Sequence, residues 1–515
     1  MAIKKDTLAY IAKTKLNLKP LGAAHRFKTV KKKVPFLWGD AVYVISTNSS
    51  KTTFSAKGHH FEIRTRDLME DGLLCLWQVD CGQGDAAILR FPNGKMMMID
   101  GGPGPLMTNS PAMAPAFLYW MRWVDQSWRE EFDHGGSVFD IDALVCTHPD
   151  YDHYGGFLDL TERVESGSFR FGTVYHDGLA RFDGDPAAFE NGQGMSQLGP
   201  VAGTDEPDLF LTTLIDGFDD VRKYSRASGG RRWKLSSLYG RWLKQLQKLE
   251  GQGVERLARV HFGMGELPHF DAGPDTSVHV LGPVEERWKN APALRFLDKT
   301  SKSAMGKPSL TRNGVSVTLR IDHGDVRLLM TGDLNFRSQA VLLKNVPSIE
   351  FKCHVAKACH HGSDDVSTIF LRAMSPLATL FSSGDNETHA HPRAKVLAMA
   401  GAFSDPITGG RKLSYLGLEE REHLAPLIYS TELSRSVALY EPAELTKDGE
   451  RVRGARLGSR GADGRKGPEK PLRDWYLADD LIYGLINVRT DGEKVVIGVL
   501  KEGENAGFQV ESFKV

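Results

Sequence analysis

Cysteine is scarce in this chain: five occur among 515 residues, with no CxxC pair. An odd number of unpaired thiols excludes a disulfide framework or a zinc ribbon as the organising principle. Cys75, Cys81, Cys146, Cys353 and Cys359 mostly sit in or beside apolar, strand-like runs, which reads as buried free thiols in a reducing compartment. Neither sign of charge is in excess, because 65 Lys and Arg balance 65 Asp and Glu. Any polyanion-binding surface therefore has to come from local clustering. Long apolar runs are missing too: Ala116–Met121 ends at Arg122, far short of a membrane span. Met1–Asp6 has no apolar signal core behind it. A cytoplasmic protein without a membrane segment is expected. The glycine fingerprint of a dinucleotide fold is also absent.

Histidine and aspartate are concentrated in one place. Thr147-His148-Pro149-Asp150-Tyr151-Asp152-His153 puts four metal-capable side chains into six residues, directly after the apolar run Ile141–Cys146, which reads as a buried strand. Two carboxylates crowded into so short a loop repel each other, or carry a costly desolvated charge, unless a cation sits among them. One or two divalent ions resolve this. Mixed His and Asp ligands suit zinc first, with manganese or iron as rivals. The bland alternative is a polar turn that happens to be rich in these residues.

Hydrophobic residues at 41% and charged residues at 25% describe a globular chain with ample core material, longer than one typical domain. Residues 1–70 form a basic N-terminal extension with short strands, and up to Lys33 its cations Lys4, Lys5, Lys13, Lys15, Lys19, Arg26, Lys28, Lys31, Lys32 and Lys33 face only Asp6. Residues 71–430 alternate strands and helices, giving a layered α/β unit interrupted by an insertion at about 184–308. Within the insertion, Leu235, Tyr239, Trp242, Leu246 and Leu249 recur at helical spacing beneath a basic face that includes Arg231, Arg232, Lys234, Arg241 and Lys244. Such a face is ordinarily a solvated surface; the sharper reading has it meet nucleic acid. Residues 431–515 read as a Gly- and Arg-rich mobile loop, Arg451–Arg473, followed by a β meander.

At these residues the chain resembles the metallo-β-lactamase fold superfamily. His148, Asp150, Asp152 and His153 match its metal motif, Thr331-Gly332-Asp333 looks like the motif of the bridging carboxylate, and Cys359-His360-His361-Gly362-Ser363 looks like the later histidine motif. Asp80-Cys81-Gly82-Gln83-Gly84-Asp85, Asn313, Ser316, the doubled histidine and His391-Pro392 are similar to the soluble hydrolase domain of the ComEC family of DNA-uptake competence proteins. The resemblance implies a four-layer αβ/βα sandwich with metals at one edge of its two sheets. The third histidine motif has no clear match, His176 and His279 being weak candidates, and the competence subgroup resembles this chain in lacking it.

The implied ligand set is His148 and Asp150 towards one ion, Asp152 and His153 towards another, Asp333 between them, and one of His360 and His361. Neighbours at a strand end point oppositely, so sequence does not choose between the last two. Such ions lower the proton affinity of a bound water and polarise a phosphoryl or carbonyl oxygen. Asp150 or Asp152 is the expected proton acceptor and His391 the donor to the leaving group or an orienter of substrate. Asp80, Asp85 and Asp100 read as caps of loop amides or as supports of the ligands. Lys357 and Ser363 are candidates for contacting an anionic substrate, and Asn313 and Ser316 for stabilising a loop. The expected function is a metal-dependent hydrolase of a phosphodiester, with a nucleic acid or nucleotide as substrate. A hydrolase of a small lactone or thioester, and a nucleic-acid-binding or assembly protein with a vestigial metal site, are the competing readings.

Overall fold

The computed structural model describes residues 3–24, 27–28, 30–104, 113–136, 138–184, 195–196, 198–203, 208–226, 228, 233–297, 309–384, 391–415, 418–431, 443–445, 451–453, 475–476, 485–500 and 507–515. Two large sheets face each other. Strands β1 (Leu74–Gln78), β2 (Ala87–Arg90), β3 (Met96–Ile99), β4 (Phe139–Val145), β5 (Phe169–His176) and β6 (Val254–Arg259) belong to the first. The second contains β7 (Thr276–Gly282), β8 (Thr318–His323), β9 (Val326–Met330), β10 (Val355–Lys357), β11 (Ala378–Phe381) and β12 (Leu427–Ser430). Strands β13 (Ile486–Thr490), β14 (Lys494–Leu500) and β15 (Phe508–Lys514) join the first sheet beside β1, in the order β6-β5-β4-β3-β2-β1-β13-β14-β15. Parallel pairing runs through β3, β4, β5 and β6 in one sheet and β9, β10, β11 and β12 in the other.

Strand β3 shows why these runs are apolar throughout. Met97 and Ile99 enter the core between the sheets with Leu328, Met330 and Leu380, whereas Met96 and Met98 face the helical layer. A strand buried on both faces loses the polar alternation of a half-exposed one. Helices α1 (Met113–Glu131), α2 (Tyr151–Glu165) and α3 (Ser237–Lys248) cover the first sheet with Phe117, Phe157, Leu160 and Trp242. Phe157 and Leu160, both buried, each contribute about 2 kcal/mol of apolar burial. On the far face of the second sheet Leu329 packs with Leu342, Phe351 and Phe370. The layers run helix, sheet, sheet, helix, as the resemblance implied.

Some boundaries move. Strands β6 and β7 lie inside the stretch read as an insertion, yet they are strands of the main sheets. The terminal meander likewise extends the first sheet. Strand β10 is short, because Ser348–Phe351 form a tight helical turn before it.

Residues Leu8–Met69 build a separate six-stranded sheet around Phe36, Phe54 and Phe61. It docks at the start of β1, where the Arg90 guanidinium donates to the Gly39 carbonyl at 2.7 Å and Tyr43 stacks on Trp128 at 4.4 Å. Partly buried Asp40 joins it to the meander through Arg489, 3.5 Å away, and also pairs with Lys57 at 2.8 Å. Burial raises the Asp40 carboxyl, but Lys57 and Arg489 outweigh it and leave it below its ordinary value. Replacing Asp40 by Asn should cost about 3 kcal/mol, because the buried Arg489 loses its counter-charge. A depressed carboxyl stabilises above its unfolded value and loses that contribution as pH falls through the folded one. The urea midpoint of Asp40→Asn should therefore lie well below wild type at pH 7 and approach it in acid. Equal midpoints at pH 7 would refute the linkage.

Candidate metal centre

Strand β4 ends at Val145, and Thr147 turns the chain by hydrogen bonds to buried Asp100 from its backbone N–H (2.8 Å) and its hydroxyl (2.7 Å). The same carboxylate accepts from Nδ1 of His153, in the first turn of α2, at 2.8 Å. His153 Nε2 then faces Asp333 at 3.3 Å and Asp152 at 3.8 Å. His361 repeats the arrangement from the second sheet. Its Nδ1 donates to the Ser382 carbonyl at 3.0 Å, and its Nε2 lies 3.2 Å from Asp333 and 3.4 Å from Asp152. His148 has Nδ1 between Thr147 Oγ1 (3.1 Å) and Ser316 Oγ (3.3 Å) and Nε2 at 3.8 Å from Asp150.

Each of these imidazoles has its outer nitrogen engaged and its inner nitrogen turned towards carboxylates. Nε2 of His148, His153 and His361 is buried, and none of the three makes a hydrogen bond. Anchored outer nitrogens with inward, unspent partners are how proteins prepare histidine ligands. The electrostatics agree. Burial pushes His153 and His361 down, yet Asp333 leads a group of carboxylates that raises both well above an ordinary imidazole. Without a bound cation, the cluster draws protons to fill the same need for positive charge. The residues present therefore fit a divalent ion.

Asp85, His153, Asp333 and His361 bring ligand atoms within 4.8 Å of one another. Asp85 approaches from behind the rings, 3.5 Å from His361 Nδ1 and 3.9 Å from His153 Nδ1. Nδ1 of His153 is bound to Asp100 and that of His361 to Ser382, so Asp85 supports the histidines while Asp152 and Asp333 occupy the Nε2 side. Burial raises the Asp85 carboxyl, but Lys357 and His361 bring it to about 2. Gly84, at φ +149, lets this loop close on the metal loop, because a Cβ there would meet the Asp152 carbonyl at 2.4 Å. Ser316 accepts from the Asp333 N–H at 3.0 Å and reaches His148, so it does more than stabilise a loop.

The doubled histidine is not a strand end. Cys359–Gly362 form a tight turn with His360 (φ 46°) and His361 (φ 54°) in the left-handed region. Two consecutive left-handed non-glycine residues are strained, and such strain concentrates at functional sites. The turn buries His361 in the cluster and leaves His360 partly exposed, with Nε2 3.3 Å from Asn313 and 3.8 Å from Asp333. His391 stacks on His361 with ring centres 6.3 Å apart and lies 3.4 Å from Gln83 Nε2.

Other expectations change. Lys357 is buried and pairs with Asp85, with Nζ 3.6 Å from Asp333, so it does not present itself to substrate. The Ser363 hydroxyl accepts from the Asp365 N–H at 3.4 Å. His176 accepts from the Gly178 N–H at 3.2 Å and is pushed down to about 3 by burial and by Arg259. His279 lies beside Ser277 and Asp322, and neither histidine enters the cluster. Asp150 turns towards Arg312, which contacts it through Nε, and Arg181, 3.9 Å away. Sequence reading missed both arginines, since neither belongs to a spaced motif.

Of the basic clusters read from sequence, the N-terminal one lies away from this centre, whereas Lys234 of the insertion pairs across strands with Asp183, two residues after Arg181. The N-terminal unit docks at the Leu73 end of β1, about 17 Å (one strand length) from the loop that carries Asp85. Arg222 pairs with Asp219 and Glu250, while Tyr239 and Trp242 of α3 pack on Tyr154. Arg231, Arg232 and residues 454–473 lie outside the described residues. Among the described residues no helix is long and apolar enough to cross a membrane.

Comparison with known proteins agrees with this geometry. Residues 79–225 match the family model described as the metallo-beta-lactamase superfamily. The chain is 30% identical over 90 residues to ComE operon protein 3 of Bacillus subtilis (strain 168), covering 17% of this chain and 11% of that protein. It is 26% identical over 170 residues to competence protein ComA of Neisseria gonorrhoeae, covering 29% of this chain and 23% of that one. It thus spans under a quarter of the length of either relative. Among solved structures, the metallo-beta-lactamase fold protein YhfI of Bacillus subtilis overlaps 64% of this chain and 93% of its own at 8% identity and a TM-score of 0.31. Unliganded yeast PDE1 overlaps the same shares at 10% identity and 0.33. The chain carries a metallo-beta-lactamase superfamily domain and is similar to ComEC-type competence proteins.

Proposed function

We propose that this metallo-beta-lactamase superfamily hydrolase cleaves a phosphodiester, with a nucleotide or the reachable end of a nucleic acid as substrate. The observation that carries the reading is the placement of Arg312 and Arg181 on Asp150, beside the histidine cluster. A site for a neutral lactone or thioester has no use for two guanidinium groups at its rim, whereas an anionic phosphate does.

His153, His361, Asp152 and Asp333 would hold the metal, with His148 and Asp150 at its edge. A divalent ion bound there supplies Lewis acidity and an acidified water. Asp100 and Ser382 hold His153 and His361 in register, and Lys357 fixes Asp85 behind them. Hydrolysis forms a bond from the water oxygen to phosphorus and breaks the bond from phosphorus to the leaving oxygen. Oδ2 of Asp150, turned towards His148 while Oδ1 faces Arg312, takes the proton of the attacking water. His391, held against His361, returns a proton to the leaving alcohol.

The metal-loaded chain should hydrolyse bis(p-nitrophenyl) phosphate with a kcat/KM well above that for p-nitrophenyl butyrate or a simple lactone. Asp152→Ala should lower it by about 10³-fold or more. Faster turnover of the carbon esters would reverse the assignment. Because Lys234 lies on the strand paired with the chain that follows Arg181, hydrolysis of long strands should weaken more steeply with salt than that of bis(p-nitrophenyl) phosphate. An equal salt dependence on both substrates would remove the polymer-guiding reading.

A further inference from the structure

The two halves of the metal loop are not equivalent. The His153 half meets His361, Asp152 and Asp333, which are histidine nitrogens without hydrogen bonds and carboxylates on one side of the rings. The His148 ring lies 4.0 Å from that of His153, but among the described residues Asp150 is the only carboxylate within 4 Å of its Nε2, and Oδ1 of that carboxylate is engaged by Arg312. Neither His176 nor His279 completes it. An ion placed there would have the charges of Arg312 and Arg181 against it, so the same position is poor in ligands and rich in positive charge.

We propose that this chain holds one metal ion rather than a pair, and that Arg312 and Arg181 supply the second positive charge, gripping the non-bridging oxygens of the substrate phosphate. Among the described residues Asp150 is the one carboxylate paired with the two guanidinium groups, which leaves them a surplus of positive charge. Arg181 Nε is buried without a hydrogen-bond partner, an N–H donor not yet spent. Both arginines are placed by firm structure. Arg312 sits in α4 (Ser309–Gly314), which is tied down by Asn335 donating to the Leu310 carbonyl at 2.7 Å and by Thr311 accepting from the Leu297 N–H at 2.8 Å. Arg181 follows a loop fixed by Asp177, which accepts from the Leu179 N–H at 2.8 Å. A planar fork reaching in from each side matches a tetrahedral oxyanion, as a point charge would not.

The identity of the anion rests on the phosphodiesterase reading; the metal count does not. The full chain, stripped with a chelator, reloaded with zinc and desalted, should retain one equivalent by mass spectrometry of the metal. Inorganic phosphate, titrated calorimetrically into that sample, should bind about tenfold or more weakly to Arg312→Gln/Arg181→Gln, with the zinc equivalent retained. Should the double variant melt early, Arg181→Gln alone, which leaves the Arg312–Asp150 pair in place, has to weaken phosphate by about threefold or more. Two tightly held equivalents in the wild type, or unchanged phosphate affinity in Arg181→Gln, overturns the proposal. One equivalent and arginine-dependent phosphate binding without any phosphodiester hydrolysis would instead sink the functional reading and leave this one standing.

Discussion

Asp333→Asn should strip the purified chain of most of its metal and lower phosphodiester hydrolysis by about 10²-fold or more, while His360→Ala should keep both within about tenfold of wild type. Asp333 follows β9 on the turn Thr331–Asp333 and is buried, with Oδ2 3.3 Å from His153 Nε2 and 3.2 Å from His361 Nε2. The amide is nearly isosteric, so the turn and its hydrogen bond to Ser316 survive. What disappears is the negative charge against which two inward imidazoles are set. Removing one member of a buried charged set costs about 3–5 kcal/mol, which corresponds to about 10²-fold or more in affinity or rate. His360 differs because its Nε2 is 3.8 Å from Asp333 and lies against Asn313. Metal analysis of Asp333→Asn, His360→Ala and His361→Ala, with circular dichroism to establish folding, decides the matter. If His360→Ala empties the site and His361→Ala does not, His360 and not His361 is the ligand.

The metal loop was legible because its chemistry is local: His148, Asp150, Asp152 and His153 fall within six residues, after a strand recognisable by its apolar run. The layered fold was legible for a similar reason, since strands buried on both faces have a composition of their own. The choice between His360 and His361 was not, because a strand end was assumed where the backbone takes two left-handed residues, which no spacing rule announces. Asp100 and Lys357 read as ambiguous for a different reason. Their roles depend on partners 53 and 272 residues away, His153 and Asp85 being brought to them by sheet pairing and sheet stacking rather than by sequence. Arg181 and Arg312 escaped notice because an isolated arginine in a loop or short helix has no signature. The insertion was drawn too wide because β6 and β7 are short strands separated by irregular chain, and only their pairing with β5 and β8 places them in the main sheets.

Lys357→Met should destabilise the metal-free chain by about 3–5 kcal/mol and the metal-loaded chain by clearly less. Lys357 is buried at the end of β10, where its ammonium pairs with Asp85, donates to the Gly332 carbonyl at 2.8 Å and lies 3.6 Å from Asp333. Burial works against its charge, yet Asp85 and Asp333 outweigh burial and hold it above an ordinary lysine. Methionine keeps most of the stem volume, so packing changes little and the loss is one of charge. Two buried carboxylates then face each other with one cation fewer. A bound metal ion supplies positive charge at Asp333 and so offsets part of the deficit, which makes the gap between variant and wild type depend on zinc. The pH dependence has a definite sign. Asp85 is held at about 2 in the folded wild type, against about 3.9 when unfolded. Its contribution is therefore present above about pH 4 and is lost as pH falls towards 2. Because Lys357 is what holds it down, the stability gap in chelator should be steady from neutrality to about pH 5 and narrow below about pH 4. Urea unfolding of both chains, with chelator and with zinc, at a series of pH values measures all of this. A variant as stable as wild type in chelator would mean that water or another cation already compensates Asp85, and that Lys357 is not the internal counter-charge of the site.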